Sequence, residues 1–139
     1  MYQYPFSTTT LLVILAAGVV SVIIGYIWYH PRIFGGLWMR LAGITPEMAE
    51  RAQHRKLLHA VLGLLASVLV AYVMFWFGAA WSVYDWTTAL QLAFWCWIGF
   101  AAPLLLGSTI WEQRPFRLYL INALYWLVAF IAMALVLLF

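Results

Sequence analysis

Four apolar runs separated by polar breaks set the pattern of this chain. The first covers residues 9–29 and ends in Trp28, Tyr29, His30, Pro31 and Arg32, where amphipathic rings meet a helix-stopping proline and a cation, as at a membrane–water interface. Residues 30–56 form the only long polar interruption, and further apolar runs follow at 57–80, 86–107 and 118–139. A helix needs about 20 apolar residues to cross a hydrocarbon core of about 30 Å. The pattern therefore predicts an all-α membrane protein with four transmembrane helices in one domain spanning 1–139, arranged as two hairpins.

The connectors carry finer signals. Between Ile33 and Ile44 apolar residues alternate irregularly with Gly35, Gly36, Arg40 and Gly43, too short a stretch to span and too apolar to lie free in water. An interfacial or re-entrant segment between helices 1 and 2 is expected there. Thr45, Pro46 and Glu47 read as an N-cap, a first-turn proline and an acid at the positive helix end. Because no Gly or Pro intervenes between Ala49 and Val61, that helix should run unbroken into the second span. Glu47 with Arg51, and Glu50 with His54, have the spacing to pair along it. Asp85 before Trp86 and Thr87 reads as a cap of the third span, which Pro103 should kink.

Composition excludes a soluble domain: 68% of the residues are hydrophobic, 8% are charged, and the mean hydropathy is +0.99. The first run is longer than a signal-peptide core and is expected to be retained. The net charge of +3 comes from cations in two connectors, Arg32, Arg40, Arg51, Arg55 and Lys56 in the first and Arg114 and Arg117 in the third. Cations beside apolar spans are topology signals, so the expected partner is the lipid bilayer and not nucleic acid. The positive-inside rule makes both basic connectors cytoplasmic and both termini external. The single cysteine, Cys96, excludes an intrachain disulfide.

The run from Gly25 through Met39, GYIWYHPRIFGGLWM, followed after Arg40 by LAGIT, resembles the opening signature of an uncharacterised membrane family, domain of unknown function 1761. Trp111 with Glu112, Pro115 with Phe116, then Leu118, Ile121, Asn122, Tyr125, Trp126 and Leu127 are similar to its closing signature, so the resemblance covers nearly the whole chain. It implies a small bacterial four-span protein of the cytoplasmic (inner) membrane and brings no substrate, reaction, cofactor or catalytic residue. His30 stands where the resemblance leads one to expect a serine. Residues 28–34 and 111–116 also echo one another, as in a parallel repeat of two hairpins.

Candidate chemistry is sparse. Glu112 is an acid at the end of the third span, within reach of Arg114, Arg117 or Arg32, and is either a functional carboxylate or an anchor of the turn. His59 can change protonation near neutral pH but more often a lone helical histidine is a packing residue. Asn122 and Gln91 supply interhelical hydrogen bonds, and Tyr125 lies one turn from Asn122. Trp28, Tyr29, Trp38 and Trp111 read as interface anchors. His30, His54 and His59 lack zinc-site spacing, and no catalytic or phosphate-binding motif is present, so no metal or cofactor is expected. The stripes Ala17, Ser21, Gly25 and Gly63, Ser67, Ala71 permit close helix contact, within the chain or across a homodimer. The inventory favours a small oligomeric transporter or channel for a solute or ion over an accessory protein that binds a partner or lipid, and both over an enzyme.

Overall fold

The computed structural model describes residues 7–138, which form helices joined by short turns, with no strand among the described residues. Four helices are long and apolar enough to cross a membrane. They are α1 (Thr8–Trp28), α4 (Lys56–Ala80), α7 (Phe116–Val136) and the continuous span Trp86–Ile110, built from α5 (Trp86–Cys96), a π-helical turn (Trp97–Ala101) and α6 (Ala102–Ile110). The four expected spans are present, with ends shifted by no more than a turn; the expected end of the last, Phe139, lies outside the described residues. Ser7 caps α1 by accepting from the Thr10 N–H.

Between α1 and α4 the chain makes a π-helical turn (Pro31–Gly35), α2 (Gly36–Ala42) and α3 (Pro46–His54). His30 caps the turn: its Nδ1 accepts from the Arg32 N–H at 3.2 Å, the service a serine hydroxyl gives at a helix start. The wide turn closes when the Gly35 N–H reaches back to the His30 carbonyl at 3.0 Å. Only glycine fits at 35, because a Cβ there would collide with the Tyr29 carbonyl. Gly43 ends α2 with φ 70°, a left-handed backbone that side chains resist. Thr45 then caps α3 as expected, its hydroxyl accepting from the Met48 N–H at 3.2 Å.

Two expectations for this region are corrected. The helix does not run unbroken into the second span: Arg55 leaves the helical region at φ −113° and ψ 21°, separating α3 from α4. Propensity favoured continuity, but α3 is polar and carries no buried residue whereas α4 is apolar, and that change of environment outweighs a weak local preference. Nor do Glu47 with Arg51 or Glu50 with His54 form ion pairs; all four side chains are exposed, where such a pair contributes little against its entropy cost.

Pro103 acts through the π turn just before it. A proline cannot donate to the carbonyl four residues back and its ring crowds that carbonyl. The Ala102 N–H bonds instead to the Trp97 carbonyl, five residues away, and the widened turn carries the helix past the proline. Asp85 caps α5 in a reciprocal pair with Thr88, whose N–H reaches Asp85 Oδ1 at 2.9 Å.

α7 lies at the centre of the packing, with 39% of its most apolar window buried against 17% for α4, which is peripheral. α1 packs against both α4 and α7, and α5 packs against α7. Alanines with no exposed surface, Ala17, Ala71, Ala89, Ala93 and Ala129, bring the helices close around Ile14, Met74, Leu92, Phe130 and Met133. This apolar core fills the end of the molecule that holds both described chain ends. The seven cations sit at the other end, where Arg114 of the third connector donates to the Ala42 carbonyl of the first at 3.3 Å.

Candidate functional site

The spacing of small residues decides where α4 touches its neighbours and where it does not. At Gly18, a Cβ would meet Val68, so α1 and α4 are in backbone contact there. Ser67 is buried at the same level, and Ser21 has no exposed surface. A turn or so further toward the basic connectors, a Cβ at Gly63 would meet nothing within 4 Å. α4 has parted from α1 and α7, leaving an open groove of about 580 Å³, within the range of about 300–1,000 Å³ usual for small-molecule sites.

Its walls are Val22, Gly25, Tyr26 and Tyr29 of α1 and its cap, Ala60, Gly63, Ala66 and Ser67 of α4, and Tyr125 and Trp126 of α7. No lining residue comes from the third span, so the groove opens sideways beside α4. Ala52 and Gln53 at the end of α3, with Lys56 and His59 at the start of α4, form its mouth. Lys56 is its one formal charge at neutral pH, and no carboxylate lines it.

The floor is a ladder of hydrogen bonds between α1 and α7. Tyr125 Oη donates to the Ser21 carbonyl at 3.0 Å and lies 3.3 Å from Ser21 Oγ. Tyr29 Oη donates to Asn122 Oδ1 at 2.7 Å, and Trp28 Nε1 donates to the Ile121 carbonyl at 3.1 Å. The rings of Tyr29 and Tyr125 meet edge to face at 5.4 Å, and Tyr29 meets Trp38 at 5.7 Å. A Cβ on Gly25 would stand 3.2 Å from Tyr125 Oη, so that glycine lets the tyrosine reach α1. Trp97, carried on the π turn, donates from Nε1 to the Ala123 carbonyl at 2.7 Å and ties the third span to the same part of α7.

Of the residues singled out in the sequence, His59 and Tyr125 line the groove, and Asn122 lies one hydrogen bond behind it through Tyr29. Glu112 and Arg114 are elsewhere: both are exposed in the turn after α6, and Glu112 has no ion pair or side-chain hydrogen bond among the described residues. Gln91 is likewise exposed. Among the expected anchors, Trp111 is 84% exposed, whereas Trp28, Tyr29 and Trp38 are half-buried in the aromatic cluster at the end of α1. Ala17, Ser21, Ser67 and Ala71 pack within the chain, while Gly63 faces the groove. Sequence reasoning missed Gln53, Lys56 and Gly63 as parts of one surface. Their spacing of three to seven residues was the available signal. Among the described residues no group of His, Cys, Asp and Glu could hold a metal ion.

An all-helical arrangement with four apolar spans and a groove between three of them defines a membrane protein. The chain matches the model of the family described as Protein of unknown function (DUF1761) over residues 12–138, and it belongs to that family. No curated protein and no solved structure matches it.

Proposed function

We propose that this protein is a binding protein of the bilayer, taking an amphiphilic molecule sideways from the membrane into the groove between α1, α4 and α7 without carrying it across. The observation that supports this reading is the gradient along the groove's α3–α4 wall: polar at Gln53, Lys56 and His59, then apolar along Ala60, Gly63 and Ala66 toward the contact of Gly18 with Val68. The Tyr29 and Tyr125 hydroxyls opposite already donate to Asn122 and the Ser21 carbonyl. From Lys56 to Ser67 is about 16 Å along a helix, roughly half the hydrocarbon thickness. Beyond the groove the apolar side chains of Ile14, Ala71, Met74 and Met133 close the interior.

Gly63→Trp tests it. A Cβ at Gly63 meets nothing within 4 Å and the groove it faces holds about 580 Å³, so an indole there should occupy the groove with the helices in place. Lipid kept through extensive detergent washing, counted by native mass spectrometry, should fall at least about tenfold, as when a ligand loses its contact area, while thermal stability in detergent holds. Equal retention by parent and variant would refute the reading.

Transport by an oligomer is the second reading, favoured by the ladder from Tyr29 and Asn122 to Tyr125 and Ser21, which carries polar groups inward from the groove. A second copy seated over the open side would enclose that ladder. Flux of a solute or ion into liposomes, abolished by Gly63→Trp, would favour this reading; parent liposomes indistinguishable from empty ones would exclude it.

A further inference from the structure

We propose that the occupant of this groove is an anionic phospholipid from the leaflet at the basic end of the molecule, its phosphate held by Lys56, His59 and Gln53 and one acyl chain lying along Gly63. This rests on the reading of the groove as an amphiphile site. Lys56 and His59 are one turn apart on α4, and Gln53 lies in the last turn of α3, so a cation, an imidazole and an amide, each able to donate N–H, line the same end of the groove. Phosphate oxygens accept from such a set, and a charged donor shortens and strengthens the bonds.

The charge pattern discriminates between headgroups. The acids of α3, Glu47 and Glu50, are exposed and do not line the groove; Glu112 lies in the third connector, and Asp85 caps α5 at the opposite end. A choline or ethanolamine group would find Lys56 and no carboxylate to receive its positive charge. A phosphate whose headgroup adds no cation is matched without that penalty. The depth agrees: a groove of about 16 Å suits a chain from one leaflet and is too short for a molecule crossing both. Gly63 and its neighbours Ala60 and Ala66 leave the width that larger side chains would fill.

The experiment presents the purified full chain with equal amounts of phosphatidylglycerol and phosphatidylcholine in nanodiscs, and native mass spectrometry reads the lipid retained after release into detergent. The parent should prefer phosphatidylglycerol by about tenfold, the scale of one charge-assisted interaction. Lys56→Gln with His59→Gln should bring the two lipids to near parity. Arg40→Gln, an exposed cation on α2 outside the groove, should leave the preference as it was. An unchanged preference in the double variant, a parent preference for phosphatidylcholine, or an equal loss in Arg40→Gln would overturn the headgroup assignment. Should Gly63→Trp still lower retention of both lipids, the groove stands as a binding site and only the headgroup inference fails. If Gly63→Trp retains as much as the parent, the site itself is wrong.

Discussion

Two glycines with opposite surroundings set a test at the scale of single residues. Gly35→Ala drives a methyl into the Tyr29 carbonyl and should destabilise the fold by about 1–3 kcal/mol, the usual cost of overpacking. Gly63→Ala meets open space within α4 and should leave stability unchanged or raise it by up to about 1 kcal/mol. Thermal unfolding of both in one detergent checks the contrast; equal destabilisation would mean that α4 does not part from its neighbours at Gly63. A second test concerns the hydrogen bond of 2.7 Å between Tyr29 and Asn122. A double-mutant cycle of Tyr29→Phe and Asn122→Leu should give a coupling of about 0.6 kcal/mol, up to about 1.7, as for other interhelical bonds in membranes. Zero coupling would place the two groups apart. At this scale the sequence spoke through residue type: Asn122 in an apolar helix demanded a partner, though nothing identified that partner as Tyr29, read on its ring alone as an anchor.

Element boundaries were legible wherever local chemistry writes them. Thr45 with Pro46, and Asp85, read as caps, stand at starts of helices, and Pro31, read as a stop, follows the end of α1, because caps and proline act within one turn of the chain. The break at Arg55 was not legible, since it comes from two environments meeting and not from a helix-breaking residue. Pro103 signalled a disturbance, but its form as a π turn that aims Trp97 at Ala123 depends on α7 standing beside it. The cap at Asp85 carries a prediction for α5. The Thr88 N–H holds the Asp85 carboxyl below the usual aspartate range, so the charged form favours the folded state. Its contribution is fully present above the unfolded value of about 3.9 and is lost as pH falls through the lower folded value. Thermal unfolding followed down through this range should lose stability in the parent, whereas Asp85→Asn, which cannot titrate, should lose less. Identical acid limbs would contradict the cap.

For the whole molecule, the seven cations at one end make a prediction about orientation. Reporter fusions at Val83 should read external and those near Thr45 and Gln113 cytoplasmic, with the reverse assignment excluding a positive-inside arrangement. The four spans were visible in the sequence because each is an unbroken apolar run. The groove was not, because it exists only where α4 diverges from α1 and α7: Gly18 of α1 is in contact with α4, whereas Gly63 of α4, an equally small residue, faces open space. Small residues announce a potential for closeness without saying whether a neighbour or a ligand takes it up. A photo-cross-linking residue answers that question directly. Placed at Ala66, inside the groove, and at Leu62, 54% exposed on α4 outside its lining, it is irradiated after the surrounding lipid has been exchanged for detergent. A bound amphiphile predicts lipid adducts at Ala66 and only detergent adducts at Leu62; the same detergent adducts at both positions would contradict it.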